Sequence, residues 1–268
     1  MASRLPLERT TDIADGDLTP RPPPNKAQAL RSAQTRHARR IPDRLDGLLI
    51  VPRRATKMPP EIRPMAATRR RENSMKFGIM CQLQMPRPWS ADAERQAYRN
   101  AIEQAVAAEE AGFDYFWITE QHFCIEIGHS ACPEMTLAAL SQLTTRIRLG
   151  FAVIILPCHN PFMVAERVAT LDVLSEGRAE FGCGRGAYPY IVEGLGLDPA
   201  MGRELGRETL EAVLGMFEHE FFPGYKGKYL DLPARHVIPR PVQRPHPPLW
   251  VAASNLDTWA HAGRMGFG

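Results

Sequence analysis

Between Met75 and Gly268, strand-like apolar runs alternate five times with longer segments of helical periodicity, and this alternation dictates strands that run parallel. The runs are Lys76 to Met80, Tyr115 to Thr119, Ile147 to Leu156, Arg178 to Phe181 and Leu249 to Ala252. The first helical pattern, Ala91 to Ala111, places Tyr98, Ile102, Ala105 and Val106 at helical spacing and stops at Gly112. A second opens on Pro133 and carries Met135, Leu137, Leu140 and Leu143. Asn160 caps a third, with Pro161 at its first position and Val164, Val168, Leu171 and Leu174 as the buried stripe. Arg203 to Glu220 turns Leu210, Val213, Leu214 and Phe217 inward, and Leu256 to Arg264 forms a short last helix. Phe221 to Pro248 breaks the pattern with Gly, Pro and Tyr, an excursion that predicts a hairpin around Gly224 to Asp231. The fold class is therefore α/β, either a parallel sheet or a (β/α) barrel. A complete barrel takes eight strands and about 250 residues, so a chain with 194 residues after Ser74 reads as a barrel interrupted after about five βα units.

The formal charge of +3 conceals two unlike parts. Residues 1–74 hold 16 basic and 8 acidic residues, with the Pro22-Pro23-Pro24 and Arg69-Arg70-Arg71 runs and few aromatics; residues 75–268 hold 17 basic and 22 acidic. Such a leader cannot bury enough apolar surface to offset its ordering entropy and is expected to be disordered. It is either a basic arm for nucleic acid or anionic lipid, or an extension upstream of a start at Met75. The second reading is preferred, so neither nucleic acid nor membrane is an expected partner. Five scattered cysteines without a CxxC pair fit reduced thiols in a cytoplasmic protein. The longest apolar run, Phe151 to Leu156, is far too short for a bilayer, and the leader lacks the apolar segment of a signal peptide.

Chemistry-bearing residues gather where strands end. Glu120 and His122 sit two apart after the second strand, on one side if the backbone stays extended. They form either a proton-exchanging pair or a hydrogen-bonded tie for the following loop. Gly182-Cys183-Gly184-Arg185-Gly186 lacks the spacing of a dinucleotide loop, and Ala187-Tyr188-Pro189 after it is not expected to open a helix. It fits a phosphate-contacting turn, with Arg185 as the charge and Arg203 as a second cation or a solvated helix residue. Cys183 reads as a small buried hydrophobe rather than a reactive thiol. The other histidines, including His129, His159 and His236, show no metal-ligand spacing and are assigned no role.

Taken in order, Met75-Lys76-Phe77-Gly78, Gly112-Phe113-Asp114, Glu120-Gln121-His122-Phe123, Arg148-Leu149-Gly150, Leu156-Pro157, Ala165-Glu166, Leu171 to Arg178 and Pro247 to Ala252 with Ser254 resemble the bacterial luciferase-like flavin-dependent monooxygenases. The resemblance covers nearly all of Met75 to Gly268. It implies a TIM barrel that binds reduced FMN, or in sister branches the deazaflavin F420. It also implies oxidation of a small organic substrate by molecular oxygen, acting on paired donors, with a flavin reductase as partner. A dimer is compatible with it. Alternatives are a non-catalytic remnant of such an enzyme and an F420-dependent hydride-transfer enzyme. Carried over by position, Ala152 and Val153 match a non-proline cis peptide behind the flavin ring. Arg185, Arg203, Ser254 and Thr258 match the phosphate grip, and Tyr188 a pocket residue. The family's usual Glu-His-His-Phe is Glu-Gln-His-Phe here, so Gln121 can only hydrogen-bond, and acid–base work falls to His122 or the flavin itself. The luciferase reactive cysteine falls on Gly184, one place after Cys183.

Overall fold

The computed structural model describes residues 75–254 and 256–268. The expectation for residues 1–74 lies outside the described residues. The strands are β1 (Gly78–Cys81), β2 (Tyr115–Ile118), β3 (Arg148–Phe151), β4 (Ile154–Ile155), β5 (Ala179–Gly184), β6 (Tyr225–Lys226), β7 (Asp231–Leu232) and β8 (Leu249–Val251). The helices are α1 (Ala93–Glu110), α2 (Pro133–Leu143), α3 (Pro161–Leu174), α4 (Pro189–Gly194), α5 (Gly202–Glu218) and α6 (Leu256–Met265).

β1, β2, β3, β5 and β8 lie side by side in sequence order, every pair parallel. Sequential parallel neighbours joined through helices are barrel order. β1 and β8 are the outer strands, and no pairing joins them among the described residues, so the sheet is an open arc. The outer edge of β8 is engaged by Gly268, whose N–H donates to the Leu249 carbonyl at 3.0 Å and whose carbonyl accepts from the Val251 N–H at 3.0 Å.

Alternation along the strands sorts side chains onto two faces. Phe116, Ile118, Leu149, Phe151 and Phe181 are fully buried in the main core, each contributing roughly 2 kcal/mol by leaving water. Helix α1 meets that core through Ala101, the expected Ala105, and Ala108, whose methyl-sized side chains let the helix lie close; the expected Tyr98 and Ile102 pack against it half-buried, and Val106 lies outside it. Leu137 and Leu140 of α2, Val164, Val168 and Leu171 of α3, and Val213, Met216 and Phe217 of α5 complete it. Met135, Leu143 and Leu174, expected inward, are exposed.

Three local expectations change. The apolar run Ile147 to Leu156 is two strands, β3 and β4, both paired with β5 and separated at Ala152–Val153, a non-proline cis peptide. β5 runs on to Gly184 because β4 and β8 flank it and satisfy its backbone, outweighing the weak strand preference of glycine. Gly182 is required there: a Cβ would fall 1.8 Å from the Phe151 carbonyl oxygen. Finally, Pro189 does open a helix, α4; proline suits a first helical position, where its missing N–H costs nothing. The predicted hairpin is β6–β7, antiparallel. Glu208 holds it by accepting from the backbone N–H groups of Lys228, Tyr229 and Leu230 at 2.8, 3.0 and 3.0 Å.

Candidate active site

At the carboxyl end of β2 the chain leaves the sheet through Thr119 and places Glu120 inside, with only 4% of its surface exposed. The loop is held by the Gln121 N–H, which donates to the Ser130 carbonyl at 2.8 Å. Glu120 Oε1 accepts from His122 Nε2 at 2.8 Å and from His159 Nε2 at 2.7 Å; its Oε2 accepts from the Ile155 N–H at 3.0 Å. Burial by itself would push the Glu120 pKa up. The two imidazoles and the Ile155 N–H outweigh it and bring the pKa from 4.5 down to about 2. Its hydrogen bond to Glu120 pushes His122 upward from its ordinary 6.5; burial opposes this, and the charges of Glu120 and Glu134 add to it.

A carboxylate ionised down to about pH 2 can only accept hydrogen bonds, so both Nε2 atoms carry protons. The nitrogen and oxygen atoms of Glu120, His122 and His159 lie within 4.8 Å of one another, close enough to crowd a cation. With each Nε2 already donating to one oxygen, the set is a hydrogen-bonded acid–base cluster.

His159 is the residue that sequence reasoning passed over. It follows β4 and a short 3-10 turn (Leu156–Cys158), directly before Asn160, whose side chain caps α3 by accepting from the Phe162 N–H at 3.0 Å. The searched signal was metal-ligand spacing; the informative one was position, since His159 leaves the third strand line at the same end of the sheet where Glu120 leaves the second. Behind it, His159 Nδ1 lies 3.4 Å from an Arg167 guanidinium nitrogen, which is also 3.4 Å from Glu134.

The other expected residues occupy the same end of the sheet. Ala152 and Val153 carry the cis peptide and, with Gly182 and Ala252, give a groove of about 530 Å³ a wall of small residues; Trp117, Trp250 and Tyr115 line it further down. Tyr188 packs on a satellite cluster of Cys124, Ile155 and Ile191, which ties the loop after β2 to α4. Phe123, with a positive φ of 61°, presses its ring so close to Gly194 that a Cβ there would lie 2.7 Å away. Arg185 follows β5, and Arg203 stands in the first turn of α5; both are exposed and neither forms an ion pair with a described residue. Ser254 is exposed after β8, and Thr258 is half-buried in the first turn of α6. Gln121 Oε1 is buried without a hydrogen-bond partner among the described residues. Cys183 is buried, and burial pushes its thiol up to about 12, which agrees with an inert hydrophobe. The cysteines at 81, 124, 132, 158 and 183 are all free.

The sequence profile of the family described as luciferase-like monooxygenase matches residues 75–268. The chain is 27% identical over 194 residues to the oxygenase component of the flavin-dependent trigonelline monooxygenase of Acinetobacter baylyi, covering 72% of this chain and 52% of that protein. Among solved structures, the monooxygenase RslO1 of Streptomyces bottropensis superposes with a TM-score of 0.67 at 30% identity, covering 72% of this chain and 58% of that one. The oxygenating constituent of 3,6-diketocamphane monooxygenase from Pseudomonas putida, a type II Baeyer–Villiger monooxygenase solved with FMN, gives 0.64 at 26% identity, covering 72% and 56%. The chain spans about half the length of the curated relatives it matches.

Proposed function

The chain belongs to the luciferase-like monooxygenase family, and from that premise we propose that it carries the flavin-binding and acid–base half of a monooxygenase that uses reduced FMN and oxygen on a small organic substrate. The observation that carries the reading is the wall of small residues that Gly182 and Ala252 make with the Ala152–Val153 peptide, set at the same sheet end as the Glu120 cluster. A flat ring needs such a wall. At Gly184 a Cβ would already stand 2.9 Å from Val153 and 3.3 Å from Ala252, so the surroundings of that peptide depend on small residues. Exposed guanidinium groups at Arg185 and Arg203, without an ion pair among the described residues, suit the phosphate, with Ser254 and Thr258 as hydroxyl donors from the last unit. Tyr188, packed on the Cys124, Ile155 and Ile191 cluster beside α4, is the pocket residue of this reading.

In this reading the bound flavin supplies the electrons that activate oxygen. The chain's own residues do the rest. Ala152 and Val153 would back the ring, Tyr188 and the apolar cluster beneath it would keep water from that side, and Arg185 and Arg203 would anchor the phosphate. Glu120 orients His122 and stabilises its protonated form, so His122 can give or take a proton at the substrate. Gln121 offers a hydrogen bond only. Reduced flavin would come from a separate reductase, in keeping with a relative named as the oxygenase component of a flavin-dependent monooxygenase. Free thiols at all five cysteines support a reducing, cytoplasmic setting, and no described helix is long and apolar enough to cross a membrane.

Titration of the purified chain with FMN and, separately, with F420 tests the assignment. FMN should bind with quenched fluorescence, and with a flavin reductase present oxygen uptake should rise on adding aldehyde or alkane-like substrates. F420 binding without FMN binding would move the chain to hydride transfer. No binding of either flavin up to on the order of tens of micromolar would remove the reading.

A further inference from the structure

The two histidines on Glu120 are not equivalent, and the difference lies behind them. An arginine guanidinium has donors and no acceptor, and it stays charged at every relevant pH. Arg167 therefore approaches His159 Nδ1, at 3.4 Å, only as a donor. His159 must then be neutral, with Nδ1 accepting and its proton on Nε2, where it is given to Glu120 at 2.7 Å. A second proton on Nδ1 would face the guanidinium charge directly. His122 has no such neighbour: its Nε2 also donates to Glu120, and no described residue hydrogen-bonds its Nδ1. From this geometry we infer that Arg167 fixes His159 as a neutral Nε2–H donor to Glu120, so that Nδ1 of His122 is the one position at which the cluster takes up or releases a proton.

The groups around the pair agree. His122 faces Glu120 from the end of β2 and Glu134 from α2, both anionic and both favouring its protonated form. His159 faces Glu120 on one side and Arg167 of α3 on the other, so a charge on it is favoured once and opposed once. Cys158 beside it contributes no charge near neutrality, because burial and the Glu120 carboxylate push its thiol up to about 11. The transfer is a simple proton exchange. Neutral His122 takes a proton from an acid onto Nδ1, the imidazolium that results is balanced by Glu120, and return of the proton restores the start. His159 and Arg167 act as positioning residues, and Glu134 steadies Arg167 at 3.4 Å.

The inference builds on the reading of Glu120 and His122 as the acid–base pair, but its readout needs no flavin, so the two can fail separately. Two-bond proton–nitrogen correlation spectra of the full chain, labelled with 15N and recorded from about pH 5 to 8, report the tautomer and charge of each imidazole. His122→Gln and His159→Gln assign the signals. His159 should keep an unprotonated Nδ1 throughout, while His122 gains a proton on Nδ1 with a midpoint above the ordinary imidazole value. Arg167→Gln should let His159 titrate and shift the His122 midpoint down, as two imidazolium groups compete for one carboxylate. Arg167→Lys, again a donor without acceptor capacity, should restore the wild-type pattern. A His159 that titrates in the wild type overturns the inference, and so does an Arg167→Gln variant with unchanged titrations. The wild-type spectra decide the first point even if a variant fails to fold.

Discussion

Two buried glutamates sit at opposite ends of the same parallel sheet. Glu120, beyond the carboxyl end of β2, is 4% exposed; Glu180, second residue of β5, is 1% exposed. Both carboxylates have every oxygen engaged. Glu120 is served by two imidazoles and a backbone N–H. Glu180 is served by the Arg148 guanidinium and by the Trp250 indole N–H at 2.6 Å. Arg148 goes on to Gln243 at 2.8 Å, and Gln243 to Asp172 at 2.7 Å and to the Ala179 carbonyl at 2.8 Å. Burial and satisfaction are thus the same at the two ends, and what differs is the partners' ability to change charge. Guanidinium and indole cannot do so near neutrality, whereas imidazole can. The Glu180 end is scaffold by its chemistry, and the Glu120 end can exchange protons.

The largest effect should come from breaking the scaffold pair. Glu180→Ala leaves the half-buried Arg148 guanidinium without its counter-charge and the Trp250 N–H without an acceptor, at a cost of about 3–5 kcal/mol. Urea denaturation would read it. Combining Arg148→Met with Glu180→Leu should recover most or all of that loss, because a paired charge replaced by packed apolar groups is often neutral. A double variant as unstable as the single one would mean that the ion pair itself carries the stability, and the two ends would then differ by more than their chemistry.

The next effect is a pH window. The Glu120 pKa is depressed in the folded chain, from 4.5 to about 2, so its contribution to stability is fully present above 4.5 and is lost as pH falls through about 2. A depression of that size corresponds to roughly 3 kcal/mol. His122 has the opposite sign: raised in the folded chain, it adds stability below its ordinary 6.5 that is lost as pH rises through the folded value. Urea midpoints of wild type and Glu120→Gln, measured across pH and subtracted, isolate the first window. The difference should shrink between about pH 4.5 and 2, and a difference curve that stays flat would show that the carboxylate is not held ionised.

Much of this was legible in the sequence, for reasons that differ by residue. The order of strands could be read because short apolar runs such as Tyr115 to Ile118 alternate with longer helical patterns, whereas the break inside Ile147 to Leu156 could not, since the apolar run is unbroken in sequence. The Asn160 cap could be read because it uses only residues adjacent in sequence. Glu120 and His122 were found because they lie two apart. His159 was not, since 39 residues separate it from Glu120 and only strand pairing brings them together. Arg167 and the Arg148–Glu180 pair were hidden in the same way, 32 residues apart in the latter case. α4 was missed by treating Pro189 as a helix breaker when a first-turn proline is a starter.

The smallest effect on stability, with a clear effect on binding, should come from a third kind of charge. Arg148 is a guanidinium paired inside the fold, while Arg185 is one left exposed after β5 with no ion pair among the described residues. If both were scaffold, truncating either would destabilise the chain. In the proposed reading Arg185→Ala should change stability by no more than about 0.5 kcal/mol, as expected of a surface position. FMN affinity should nevertheless fall about ten- to a hundredfold, the loss of one charge-assisted contact worth roughly 1.5 to 3 kcal/mol. Riboflavin, which lacks the phosphate, should bind the variant almost as well as the wild type. Arg185→Lys should regain only part of the FMN affinity, since an ammonium cannot present two parallel donors to a phosphate. Dissociation constants for both ligands and both variants, set beside their urea midpoints, test each part. Equal losses of FMN and riboflavin would place Arg185 with Arg148 as a brace of the turn and take the phosphate away from it.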